Sequence, residues 1–402
     1  MEPVLSELRL TKRLPLPILF QPPPLRPTVA LDWVLQRAFG PPQRRPLPER
    51  HRGEASRWCW SLGLAATVAR RAPAGLLDAE LGASLAEPLK RALLRQAAEG
   101  LRLQACTAEL CRALAPSGMR VVLLKHAALD ALGLVQPPER TAVDVDVLVR
   151  DSQLRGLSEV LGAAGYTRDA RWRSKIHPLV MVAPSGIPIE CHTTVPGIAV
   201  DGRGSPVTFE SLELADLLGA VASCPGAFRV PRERVVAAHL IAHALVQHRF
   251  TPEYPAMRLL LDAASLRLDL REELAAASFG LVRHGVDASE YQALVHLVGC
   301  LRRGASVAEI LGTAEPGRLL AHVIFSASDP VYREGLLVKR QRQRIAEHGL
   351  PSWVFHHAST LFDRKVRSGR SHEPARGLFE PFRSAARLAR GVAAALRMGA
   401  RK

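Results

Sequence analysis

Val143-Asp144-Val145-Asp146-Val147-Leu148-Val149 alternates two carboxylates with apolar, mostly β-branched residues. Period-two alternation of this kind reads as a strand with one apolar face. Asp144 and Asp146 then point the same way, about 7 Å apart along the strand. Two acids on one face repel each other and are costly to bury unaided. A divalent cation between them resolves the repulsion, and hard oxygen ligands of this type hold Mg²⁺ against phosphates. The other reading of the stretch is a solvated edge strand with two exposed acids.

The flanking sequence favours the metal reading. Upstream, Val121-Val122-Leu123-Leu124 reads as a buried strand running into a strand-to-helix junction at Lys125-His126-Ala127-Ala128-Leu129. Downstream, Asp151-Ser152 caps a helix with apolar residues at Leu154, Leu157, Val160 and Leu161 that ends before Gly165. Ile187-Pro188-Ile189-Glu190-Cys191-His192 is a further short strand with one acid. The order is strand, helix, acidic strand, helix, strand, acidic strand, and it offers Asp144, Asp146 and Glu190 as a carboxylate triad. His192 lies two residues after Glu190 and shares its side of the strand. It reads either as a metal or base contact or as a hydrogen-bonded core histidine.

On these residues the chain resembles the uncharacterised nucleotidyltransferase-like proteins of the polymerase-β-type superfamily. The resemblance runs through Leu123-Leu124-Lys125-His126-Ala127-Ala128-Leu129, Arg140 and Asp144 to Val149. It continues with Gly165-Tyr166 and Ile189-Glu190-Cys191-His192, then His239, His243 and His248, and Leu259 to Asp262. It covers roughly residues 75 to 270. The family usually has Gly directly after the lysine, where this chain carries His126.

The resemblance implies a small mixed sheet of the polymerase-β type, embedded in a mainly α-helical protein. It implies nucleotidyl transfer with two Mg²⁺ (or Mn²⁺) ions, an NTP as donor and an unidentified acceptor. Asp144 and Asp146 would ligand both metals. Glu190 would hold the acceptor-side metal and orient or deprotonate the incoming hydroxyl. Lys125, His126 and Arg140 fall where the nucleotide is held. Lys125 has a second reading as partner of Asp144 or Asp146, and Arg140 as a carboxylate partner. His239 and His243, one helical turn apart, are candidate substrate contacts with His192. Their spacing also suits zinc, but no Glu follows His239, so the metalloprotease motif is absent. Asp262 is a candidate buried partner for Arg258 or for one of these histidines. An inactive nucleotidyltransferase-like scaffold, binding through its basic tail, is the alternative. A glycosyltransferase whose DxD binds a nucleotide-sugar is weaker, because the region before Asp144 reads as helical rather than as a nucleotide-binding α/β domain.

The rest of the sequence bounds these readings. The 402 residues carry a net charge of +16, a balance that attracts polyanions. Residues 364–402 alone hold 11 Lys or Arg against 2 Glu, which places +9 of the excess there. Within that segment Leu378 to Met398 reads as a basic amphipathic helix suited to nucleic acid or an anionic membrane surface, or to docking on its own protein. The first 55 residues hold 11 of the 30 prolines and read as an extended Pro-rich arm, with one short helix over Leu31 to Phe39. Residues 56–116 read as helical, 117–207 as the α/β core, 208–362 as a helical domain and 363–402 as the basic tail. The long helix through about Ala115 has its weak point at Gly100. Six scattered cysteines without a CxxC pair, no signal sequence and no 18-residue apolar run point to a cytoplasmic protein with reduced thiols and no transmembrane segment.

Overall fold

The computed structural model describes residues 22–41, 47–73, 75–137, 139, 140, 142–169, 178–199, 205–244, 256–275, 288–332 and 336. The segment read as a basic amphipathic helix, and His248, lie outside the described residues.

Apolar residues at helical spacing build the first part of the chain. Five helices follow one another: α1 (Val29–Phe39), α2 (Glu49–Ser61), α3 (Ala65–Arg71), α4 (Leu76–Leu81) and α5 (Ala83–Leu114). Within the Pro-rich stretch, α1 starts where the Thr28 hydroxyl accepts from Leu31 N, and it buries Leu31, Val34, Leu35 and Phe39. Arg37 of α1 donates twice to Glu80 of α4, at 2.6 and 2.8 Å, and both side chains are buried. The apolar stripe from Trp58 to Val68 is broken between α2 and α3 by Gly63, whose φ of +69° turns the chain.

Gly100 is not the weak point of α5, which runs unbroken from Ala83 to Leu114. A Cβ built at Gly100 would lie within 2.8 Å of three backbone atoms of Pro137. The glycine is therefore where another backbone packs on the helix. In an open helix Gly→Ala stabilises by about 0.5–1 kcal/mol. Here the sign reverses: Gly100→Ala should destabilise by about 1–3 kcal/mol, the usual range for overpacking. Urea unfolding of the purified variant measures this, and an unchanged or raised midpoint would contradict the close approach.

The remaining elements alternate strand and helix around one sheet. They are β1 (Val121–Leu123), α6 (Lys125–Ala131), β2 (Val145–Leu148), α7 (Leu154–Ala163), β3 (Thr167–Arg168), β4 (Leu179–Val182) and β5 (Pro188–His192). Then come β6 (Val195–Ala199), β7 (Pro206–Val207), α8 (Phe209–Leu214), β8 (Leu218–Ala220) and β9 (Phe228–Pro231). Helices α9 (Glu233–Ala242), α10 (Ala256–Ser265), α11 (Leu270–Ala275), α12 (Ala288–Arg303), α13 (Val307–Leu311) and α14 (Ala314–Ser328) complete the described chain. Seven strands form a mixed sheet in the order β3-β4-β5-β2-β1-β9-β8, while β6 and β7 pair separately. The fold is thus a mixed α/β core within a largely helical chain, and its seven-stranded sheet is broader than the small one expected.

Strand β2 lies in the middle, antiparallel to β1 and parallel to β5. Its register sets Asp146 beside Glu190 and Leu148 beside His192. In β4, Val180 stands beside Glu190 and Met181 beside Ile189. Paired neighbours share a face, so Asp146, Glu190 and Val180 lie on one side, and Val145, Ile189 and Met181 on the other. The Ser158 hydroxyl of α7 meets Met181 Sδ at 3.9 Å, so α7 covers the second side and the two acids face away from it. The strand is shorter than the alternation suggests. Pairing begins at Val145, and Val143 is 78% exposed.

The expectation of reduced thiols fails for one pair. Cys111 of α5 and Cys224, in the connection between β8 and β9, form a disulfide across 113 residues, with Cα atoms 6.3 Å apart. Cys106, about one turn and a half earlier on α5, is buried and free. No helix among the described residues is long and apolar enough to cross a membrane.

Candidate metal and nucleotide site

Each candidate side chain is placed by the middle of the sheet or by a helix next to it. Asp146 is 3% exposed, and its Oδ1 accepts from Lys125 Nζ at 2.7 Å and contacts His192 Nε2 at 2.8 Å. An ionised carboxylate only accepts, so His192 Nε2 carries the hydrogen and donates it. Burial alone would raise the Asp146 carboxyl, but the Lys125 ammonium and the His192 hydrogen bond outweigh it and hold the group well below the usual carboxylate range. Lys125 is displaced in the complementary sense. Burial disfavours its charge, and Asp146 more than restores it, so its proton is held above the ordinary lysine range.

Lys125 also sits at an unusual backbone position. It has a φ of +47°, one of two non-glycine residues with positive φ among the described residues. The chain leaves β1, turns through this left-handed residue and enters α6, which swings the ammonium back over β2. A left-handed non-glycine residue stores of order 1–3 kcal/mol of strain, kept only where the surroundings enforce it. Here the ion pair with buried Asp146 does so.

Glu190, half-buried beside Asp146, behaves oppositely. Burial, then Asp146, then Asp144 push its carboxyl up to about 7, against the pull of Lys125. Asp144 is also raised, by burial and then by Asp146, while Lys125, Arg140 and Arg258 oppose the shift. A strongly ionised acid beside two reluctant ones is a site short of positive charge. Ligand atoms of Asp146, Glu190 and His192 all lie within 4.8 Å of one another. Asp144 is not in that group. The donor set suits a hard cation through its carboxylate oxygens. His192, donating to Asp146 from Nε2, orients that carboxylate, and the lone pair left for a cation on the neutral ring is that of Nδ1.

This distribution fixes a pH dependence. In the unfolded chain the Glu190 carboxyl ionises near its ordinary value of 4.5, and in the folded protein near 7. The folded state therefore binds more protons between the two. Its stability should fall as pH rises from about 4.5 to 7, with the full loss, about 3 kcal/mol, above that window. In EDTA, Glu190→Gln should flatten the dependence and unfold at higher urea than wild type at pH 8. Parallel pH dependences in the two proteins would contradict this assignment.

Arg140 and the histidines are placed around the acids. Arg140, in the loop before β2, donates from Nε to Asp262 Oδ1 at 2.7 Å and from Nη2 to Oδ2 at 3.2 Å. The pair is 6% and 1% exposed. Arg140 is thus partnered by a carboxylate, one that belongs to α10 and not to the DxD stretch. His126 is buried in α6 and its Nδ1 has no hydrogen-bond partner among the described residues. Burial, then Arg140 and Arg258, lower its imidazole to about 3, so it is neutral. His239 of α9 and His243 stack with ring centroids 6.0 Å apart and planes 13° from parallel. His239 is buried and lowered to about 3 by burial first, then by Lys125 and His192, so it stands close to the Lys125–Asp146–His192 cluster. One pairing lies beyond the sequence reading: Asp262 reads there as a partner of Arg258 or of a histidine, and nothing in the spacing marks Arg140, 122 residues away.

No curated protein matches the chain, and no solved structure does. A family model described as "Uncharacterised nucleotidyltransferase" matches residues 49–298, more than half of the chain, and takes in β1, β2 and β5 with Lys125, Arg140, Asp144, Asp146, Glu190 and His192. The protein therefore belongs to this uncharacterised nucleotidyltransferase family.

Proposed function

We propose that the protein transfers a nucleoside monophosphate from an NTP to an acceptor, with Mg²⁺ or Mn²⁺ held by Asp146 and Glu190 and with Asp144 as the third acid. The observation that carries this reading is the register of β2 and β5, which sets Asp146 beside Glu190 on the face turned away from α7. When bound, the cation supplies charge neutralisation at the phosphates and lowers the barrier to in-line displacement.

The chain's own residues do the rest. His192 fixes the rotamer of Asp146 through its Nε2–H, so the carboxylate is preorganised. Lys125 neutralises Asp146 until the nucleotide arrives, then offers its ammonium to a phosphate oxygen as a point charge. Glu190, pushed up to about 7 by burial and by Asp146 when no cation is beside it, would give up its proton as a cation binds and would then hold that cation and orient an attacking hydroxyl.

A second reading, a scaffold without catalysis, is favoured by one observation. The 2.7 Å Lys125–Asp146 pair satisfies the buried acid without a cation. Calorimetric titration of the full chain with each of the four NTPs separates the two. NTP binding that requires Mg²⁺ or Mn²⁺ and is lost in EDTA supports the enzyme. NTP binding that is absent, or indifferent to metal, would sink it.

A further inference from the structure

Where the connection from α10 to α11 meets the C-terminal end of α12, a cavity of about 410 Å³ is lined by Arg267, Arg271, Arg302 and Arg303. Its apolar wall includes Leu270, Val295 and Val298, all buried. Asp269 is the single acid of the lining, and its Oδ1 accepts from the Arg271 backbone N at 2.7 Å. Four cations against one anion leave the lining at +3.

These arginines differ from others in the protein. Arg37, Arg140 and Arg150 each pair with a carboxylate, on Glu80, Asp262 and Glu213. No carboxylate among the described residues forms an ion pair with any of the four in the cavity. Two of them are fixed by carbonyl groups instead. Arg302 Nη2 donates to the carbonyls of Ala263, Ala264 and Leu266 at 3.3, 2.7 and 2.7 Å. Arg267 Nη2 donates to those of Leu132 and Gly133 at 3.2 and 3.0 Å. Each fork is held by one nitrogen, and among the described residues its Nε–H and Nη1 donors meet no hydrogen-bond acceptor. Gly299 makes room for a third, since a Cβ there would stand 3.2 Å from Arg303 Nη1. The nearby carboxylates, on Asp269 and Glu233, accept from backbone N–H groups of Arg271, Arg267 and Leu268 rather than from the guanidinium groups. Guanidinium groups outnumbering their counter-charges repel one another, and a planar fork matches phosphate oxygens in pairs.

We propose that this cavity is a second ligand site, separate from the carboxylates of β2 and β5, that binds a small phosphate-bearing molecule. The size is that of a small-molecule pocket, whereas a nucleic-acid backbone is tracked along an extended groove. The site lies at the C-terminal ends of α6 and α10, the helices that carry Lys125 and Asp262, so its ligand sits on the frame that holds the carboxylate cluster.

The test is calorimetry of the full chain with inorganic tripolyphosphate in EDTA, which removes metal-dependent binding at the acids. Wild type and an Asp146→Asn/Glu190→Gln variant should both bind it saturably. Arg271→Gln/Arg303→Gln, which alters two exposed side chains, should bind at least about tenfold more weakly with an unchanged unfolding midpoint. Hydrogen exchange on wild type gives a second readout, in which tripolyphosphate should protect residues 267–271 and 299–303. Absent binding, equal binding by the arginine variant, or protection elsewhere would each overturn the proposal. So would an arginine-dependent affinity for a single-stranded oligonucleotide without one for tripolyphosphate.

Discussion

Asp146→Asn should lower nucleotidyl transfer by at least about a thousandfold, or about 4 kcal/mol of transition-state stabilisation, and should remove metal-dependent NTP binding. The size of the effect follows from how many roles meet on one carboxylate. Asp146 is the most buried of the three acids and the only one held strongly ionised. It takes hydrogen bonds from Lys125 and His192 on a single oxygen. Asparagine keeps the shape and can still accept from both, so Lys125 and His192 have no reason to move far. It does not keep the charge, and the ammonium of Lys125 is then left without its closest anion. Asp144 and Glu190 still act on that ammonium, and the two hydrogen bonds to position 146 survive, so the variant should stay folded at reduced stability while its chemistry is lost. Near-UV circular dichroism like that of wild type, together with lost transfer, is the expected pair of results. Retained transfer would remove Asp146 from the site. Asp144→Asn tests the third acid separately. It should lower transfer with less effect on folding, since Asp144 precedes the first paired residue of β2.

Arg140→Ala should destabilise the protein by about 3–5 kcal/mol, the cost of leaving one member of a buried ion pair without the other. The Arg140–Asp262 contact is bidentate and nearly solvent-free, and it ties the loop before β2 to α10. Removing the guanidinium takes the bidentate donor away from a buried carboxylate. Asp262→Leu made alone should be similarly costly, because it removes the carboxylate that accepts both of those bonds from buried Arg140. The double variant Arg140→Met/Asp262→Leu should recover much of the loss, since apolar groups of similar volume often replace a buried pair at little cost. Urea unfolding of the four proteins closes the cycle. Additive losses would mean that the two residues do not act as a pair.

The parts of this site that were legible in the sequence are those written in local periodicity. Alternation put Asp146 and Glu190 on strands, and the strand-to-helix junction put Lys125 at the start of a helix. The register of β2 against β5, which makes the two acids neighbours, is not local, and no spacing in the sequence specifies it. The same limit hid Asp262 as the partner of Arg140 and Cys224 as the partner of Cys111. Alternation also overstated the strand, because it registers side-chain type and not pairing, and Val143 lies outside the ladder. Gly100 reads as a weakness when only the helix is considered, since the propensity cost is internal while the reason for the glycine, the backbone of Pro137, is external. Helix α1 was legible as a helix but not as a buried one, because the prolines around it suggest an extended arm while burial depends on α2 and α3 packing over it.

The most direct test of nucleotidyl transfer is to incubate the full chain with each of the four α-labelled NTPs, with Mg²⁺ and then Mn²⁺, alone and with a lysate supplying acceptors. Label moved to a macromolecule or metabolite by wild type, and not by Asp146→Asn, is the result expected of two acids set side by side to hold a cation. No transfer under any of these conditions, with no metal-dependent NTP binding, would contradict the catalytic reading and leave the Lys125–Asp146 pair as the lock of an inactive site.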